Sequence, residues 1–227
     1  MKDRLDRINK RIADAATGCG RIPETIRLVA VSKTVDAERV AEAIDAGVAI
    51  VGENYIQEAR DKFNTLYGRP VQWHFIGHLQ SNKAKYAVRM FDLIHSVESL
   101  KLATALDKEA RKNNKVQEIL IQVNISREET KSGIAETGAV ELIKQISRLD
   151  NLRVKGLMTM PPFFDAPEQA RPFFRQLSRL RNRIVEHNIP GVSMQELSMG
   201  MTGDFEVAIE EGATLVRIGT AIFGARP

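Results

Sequence analysis

Lys33 is the first residue whose type and place suggest chemistry. It directly follows the apolar run LVAVS at 28–32. A primary amine at the end of a buried strand is held partly out of water. Burial disfavours its ammonium form and frees the amine to attack a carbonyl carbon. An arbitrary lysine is a solvated loop group, and its position after a buried strand sets this one apart.

Two later segments, SMGMTGD (198–204) and RIGTAIFG (217–224), each carry glycine with a hydroxyl residue. Gly200, Gly203 and Gly219 would let backbone N–H groups approach an anion. Thr202 and Thr220 would add hydroxyl donors, and helix starts favour negative charge. Glycines that merely serve tight turns are the ordinary explanation. Two such segments after two late strands suit a phosphate cup better. A reactive lysine beside a phosphate cup fits two ligand classes, a phosphorylated sugar captured as a Schiff base or pyridoxal phosphate. The residue pattern accommodates both.

These groups need a scaffold that brings them together. Short Val-, Ile- and Leu-rich runs at 28–31, 50–52, 71–76, 93–95, 119–123, 154–158, 196–199 and 215–218 mostly lack polar alternation, as strands buried on both faces do. Helical patterns at 36–46, 57–66, 82–89, 99–113, 136–149, 167–187 and 204–212 alternate with them. Asp36 and Ser99 stand where N-caps belong, and Gly47 follows the first of these helices. Eight strands, seven connecting helices and a leading helix predict an α/β fold, a single (β/α)8 TIM barrel spanning residues 1–227 as one domain. An open doubly wound sheet is the alternative, but its first turn is often Gly-rich and AVSKTVDAER has no glycine. No linker or repeated motif divides the chain.

In such a barrel the working face lies at the C-terminal ends of the strands. The chemically able residues collect there: Lys33, Asn54, His78, His95, Asn124, Thr159, Ser198, Thr202, Arg217 and Thr220. Loops also follow strands, so polar residues are expected at these places in any case. His74, inside an apolar strand, reads as a hydrogen-bonded core histidine. His95 reads as structural, and His78 stands at the mouth without a role. The histidines lack metal-ligand spacing, so no metal site is expected. Lys83, Lys85 and Arg89 read as a solvated basic face.

The 227 residues are 43% apolar and 27% charged, with a net charge of +4 spread along the chain. No long basic block or aromatic-rich RNA motif is present, which disfavours nucleic acid. The lone Cys19 cannot form an intrachain disulfide and fits a reducing cytoplasm. No run approaches a membrane span or a signal core.

The segments VAVSKTV, GENYIQEA, WHFIGHLQSNKAK, VNISREETKSG, GLMTM, LSMGMTGDFEVAIEEGAT and VRIGTAIFG resemble, in order, the pyridoxal phosphate homeostasis proteins of the YggS/PROSC type. The likeness spans nearly the whole chain after the first helix, and the family is similar in fold to the N-terminal barrel of alanine racemase, a fold type III pyridoxal phosphate protein. The resemblance implies a cytoplasmic protein that binds pyridoxal 5′-phosphate (PLP) as a Schiff base on Lys33. It implies that Ser198, Gly200, Thr202, Gly219 and Thr220 hold the phosphate, with threonine at 202 where serine is more frequent. Arg217 would face the pyridine nitrogen and Asn54 would lie near the ring, with Met199 and Met201 as further lining. An arginine disfavours protonation of that nitrogen and so weakens the ring as an electron sink. The related racemases also use a C-terminal β domain and a partner's tyrosine, whereas this sequence stops at Pro227. The expectation is therefore a monomeric, non-catalytic PLP carrier or regulator in PLP homeostasis, with PLP-dependent apoenzymes as acceptors. A small PLP-dependent amino-acid racemase is the alternative.

Overall fold

The computed structural model describes residues 1–126, 128 and 131–224. Part of the VNISREETKSG segment, namely Arg127, Glu129 and Thr130, lies outside the described residues.

Eight parallel strands close on themselves. They are β1 (Arg27–Val31), β2 (Ile50–Glu53), β3 (Gln72–Phe75), β4 (Leu93–Val97), β5 (Gln117–Asn124), β6 (Leu152–Met158), β7 (Val192–Met201) and β8 (Leu215–Ile218). Their order is β4-β3-β2-β1-β8-β7-β6-β5, and pairing of β4 with β5 completes the barrel. A two-residue strand, Ile134–Ala135, pairs with the end of β5. The helices are α1 (Lys2–Gly18), α2 (Ala37–Asp45), α3 (Ile56–Thr65), α4 (Ala84–Met90), α5 (Leu100–Lys112), α6 (Glu136–Ile146), α7 (Arg171–Glu186), α8 (Phe205–Glu210) and α9 (Thr220–Phe223). The expected TIM barrel with a leading helix is thus the observed fold.

Local sequence explains the boundaries. Asp36 caps α2 by accepting from the Arg39 N–H at 2.8 Å, and Ser99 caps α5 by accepting from Leu102. Asp204 does not cap α8 with its side chain; its Oδ1 instead accepts from the Met201 N–H at 2.6 Å. On α1, Leu5, Ile8, Ile12 and Ala16 recur at helical spacing and are buried where this helix packs on α8 and α9.

Three boundaries differ from expectation by three residues or more. The helix expected over 167–187 opens as a 3₁₀ turn, Pro167–Ala170, with α7 proper beginning at Arg171. The pattern expected to run to 149 stops at Ile146. β7 is far longer than 196–199, because Ser193 and Gln195 interrupt its apolar pattern while its backbone already pairs with β6 from Val192.

The barrel interior is layered. Val29, Ile50, Leu93, Leu120, Met158 and Leu215, each from a different strand, form a buried cluster separate from the main core. Side chains two residues further along a strand point the same way. Leu93, Leu120 and Leu215 are therefore followed on the inner face by His95, Gln122 and Arg217. With His74 and Ser198 these make a buried polar layer above the apolar one.

Candidate functional site

Lys33 lies just past β1 in a segment fixed on both sides by α3. The Ser32 hydroxyl donates to Glu53 Oε1 at 2.5 Å. The Lys62 ammonium donates to the Ser32 carbonyl at 2.6 Å and to Glu53 Oε1 at 2.8 Å. On the far side, the Thr34 N–H donates to Glu58 Oε2 at 2.9 Å. Thr34 has φ +63°, a left-handed conformation that costs a β-branched residue energy and persists where neighbours over-determine it. Glu53 is fully buried; burial pushes its carboxyl up from the ordinary range, against the downward pull of Lys62. Its second oxygen, Oε2, finds no hydrogen-bond partner among the described residues.

Lys33, Asn54, Thr202, Arg217, Gly219 and Thr220 line one cavity of about 280 Å³ at the C-terminal mouth of the barrel. That volume falls just under the ordinary range for small-ligand sites. The Thr202 and Thr220 hydroxyl oxygens are 3.4 Å apart, joining the turn after β7 to the start of α9. Asn54 borders the cavity and its Oδ1 is buried with no partner among the described residues. Gly77 lets the loop after β3 pass against this residue, since a Cβ there would stand 2.1 Å from the Asn54 carbonyl oxygen.

Ser198 and Gly200, expected in the phosphate loop, are not on the cavity wall. β7 continues to Met201, so Ser198 is an inward strand residue with no exposed surface. Gly200 has φ +87°, and a Cβ there would meet the Ala208 Cβ at 2.6 Å; its bareness lets α8 approach β7. Met201 lines the cavity, whereas Met199 is core.

Arg217 closes the cavity base. It is 4% exposed. Its Nη1 donates to Ser198 Oγ at 2.5 Å and its Nη2 to the Thr159 carbonyl at 2.9 Å. Burial lowers its pKa to about 10, while Asp204 acts to raise it, so the guanidinium keeps its charge at neutral pH. The polar layer continues beyond it. Ser198 Oγ is 2.9 Å from His95 Nδ1, and His95 Nε2 is 3.0 Å from His74 Nδ1. Both imidazoles are buried. Desolvation first, with Arg27 adding to it, pushes His74 down to about 3; burial, His74 and Arg217 hold His95 well below its ordinary value.

The cavity also takes residues the sequence did not single out. Asp204 lines it, with its carboxyl raised by burial. Met160, Phe163 and Phe164 form an apolar rim after β6; Phe163 is 84% exposed and Phe164 stacks on Phe173 at 5.7 Å. The sequence signal for the rim was MPPFF, an apolar run placed where a polar loop belongs. His78 and Lys83 line a neighbouring groove with Tyr55, and His78 Nδ1 is 3.6 Å from Glu98 Oε1. Lys85 lies over the Tyr86 ring at 4.7 Å. Among the described residues no His, Cys, Asp and Glu group could hold a metal ion, and no helix is long and apolar enough to cross a membrane.

The family profile described as the alanine racemase N-terminal domain matches residues 4–227. A protein of Aquifex aeolicus named pyridoxal phosphate homeostasis protein is 46% identical over 225 residues, covering 99% of this chain and 97% of the relative. The protein of the same name from Escherichia coli K12 is 44% identical over 230 residues, covering 98% and 95%. The structure of PipY from Synechococcus elongatus with PLP bound is 35% identical, with a TM-score of 0.83, covering 94% of this chain and all of that one. With its full-length likeness to these relatives, the chain belongs to the pyridoxal phosphate homeostasis proteins, a family built on the barrel of the alanine racemase N-terminal domain.

Proposed function

We propose that this chain binds PLP in the Lys33 cavity and serves PLP homeostasis as a holder of the cofactor rather than as an enzyme. The observation that carries this reading is the convergence of Lys33, Asn54, Arg217 and the Thr202–Thr220 hydroxyl pair on one cavity. These groups suit PLP: an amine for its aldehyde, a guanidinium for its ring nitrogen, and hydroxyls with the bare backbone of Gly203 and Gly219 for its phosphate. The partnerless Asn54 Oδ1 leaves a buried acceptor for a ligand donor. When bound, PLP supplies an aldehyde that combines reversibly with amines and a ring that can withdraw electrons.

Lys33 would tether the cofactor through its side-chain amine, with the α3 contacts holding the backbone of that residue in place. Arg217, charged and buried, would leave the ring nitrogen unprotonated, which limits the ring as an electron sink. Among the described residues, the titratable side chains on the cavity wall are Lys33, Asp204 and Arg217. Asp204 already accepts a backbone N–H. We take Asp204 as held in this backbone contact rather than as the second acid/base that racemisation needs. We further propose that residues 1–227 act as one monomeric unit in the cytoplasm and deliver PLP to PLP-dependent apoenzymes.

The test uses the PLP-loaded chain in two assays. It should restore activity to a PLP-depleted apoenzyme, and it should exchange the α-hydrogen of L-amino acids in deuterium oxide no faster than free PLP does. Rapid exchange that depends on Lys33 would overturn the holder reading in favour of an enzyme.

A further inference from the structure

We infer that the chain His74–His95–Ser198–Arg217 runs in one direction, with both imidazoles carrying their proton on Nε2, and that His95 is a positioning residue which sets Arg217 through Ser198. Guanidinium groups donate and never accept. Ser198 Oγ therefore accepts from Arg217 Nη1. The hydroxyl has one proton to give, and the acceptor beside it is His95 Nδ1 at 2.9 Å. His95 Nδ1 is thus bare, and its proton sits on Nε2, which donates to His74 Nδ1 at 3.0 Å. His74 Nδ1 is then bare in turn.

The reverse direction would have His95 Nδ1 donate to Ser198. The Ser198 oxygen would then accept twice, and its own proton would have no acceptor recorded among the described residues. Ser198 and His95 are each 0% exposed, so water cannot supply one cheaply. Protonating either imidazole would place a donor against a donor in this layer, in a site that already holds Arg217 and faces Arg27. Burial and geometry thus favour the same neutral forms.

The chain joins β3, β4, β7 and β8 across the inside of the barrel. It commits one Arg217 nitrogen to Ser198, while the Thr159 carbonyl commits another. The edge of the guanidinium presented to the cavity is what remains, so removing His95 frees Ser198 to turn and Arg217 to follow.

Two measurements test this, and only the second rests on the PLP reading. Side-chain nitrogen NMR of the ligand-free chain should show His74 and His95 as neutral Nε2–H forms, unchanged between pH 8 and about pH 5. A proton on His95 Nδ1 overturns the direction. With PLP added, His95→Leu should move the pH midpoint of the visible band by about one unit, a tenfold change in the protonation equilibrium. His95→Asn, whose Oδ1 can accept from Ser198, should keep the wild-type midpoint. Wild-type midpoints in both variants, or equal shifts in both, overturn the positioning role. If the wild-type chain itself shows no band, the PLP reading fails while the NMR result stands on its own.

Discussion

The Lys62 ammonium lies 2.6 Å from the carbonyl oxygen of Ser32, the residue immediately before Lys33. A helix on the outside of the barrel thereby holds the backbone that carries the amine. Lys62 also pairs with Glu53, and both side chains are almost wholly removed from water. Taking two charges out of water is costly, and removing only one of them leaves the other uncompensated.

Lys62→Met should therefore destabilise the chain by about 3–5 kcal/mol, read as a lower urea midpoint. Glu53→Gln combined with Lys62→Met should recover part of that loss, because no unpaired carboxyl is then buried. A Lys62→Met chain as stable as wild type would show that the pair does not support the segment around Lys33.

The buried histidines make stability fall in acid. Their folded pKa values lie below the ordinary value near 6.5, His74 at about 3. Between the folded and unfolded values the unfolded chain binds more protons. Stability is then complete above about pH 6.5 and declines as pH falls, by about 1 kcal/mol per unit for each such group. Glu53 and Asp204, both raised by burial, titrate with the opposite sign, so the useful comparison is between wild type and His95→Leu. From pH 6.5 to 5, urea unfolding of the variant should lose stability less steeply than wild type by about one group's share. Equal slopes would mean that His95 is not buried in its neutral form.

The threonine pair offers a separate handle on the phosphate. Thr202→Val removes one hydroxyl of two that stand 3.4 Å apart at the mouth. It should raise the dissociation constant for PLP about tenfold and leave that for pyridoxal, which has no phosphate, unchanged. Equal weakening of both ligands would place the phosphate elsewhere.

Much of this was legible in the sequence because strand ends in a barrel converge. Lys33, Asn54, Thr202, Gly219 and Thr220 follow apolar runs and Arg217 lies within one, and the barrel brings them to one cavity. Ser198 belongs both to the expected 196–199 strand and to the glycine-hydroxyl segment that follows it; because β7 runs on to Met201, its side chain points inward and off the cavity wall. The link between His95 and Ser198 joins residues 103 positions apart on strands facing each other across the interior, and no local pattern carries that. Lys62 carries a local signal of its own. It stands three residues after Ala59 on the buried stripe of α3, where a lysine needs a buried partner.

The most direct measurement is the visible absorbance of the purified chain titrated with PLP, for wild type and Lys33→Ala. The wild-type chain should develop a band that Lys33→Ala lacks, and borohydride reduction should fix the added mass on the peptide containing Lys33. A wild-type chain that stays colourless with excess PLP, or a Lys33→Ala chain with the same band, would contradict the assignment of Lys33 as the tether.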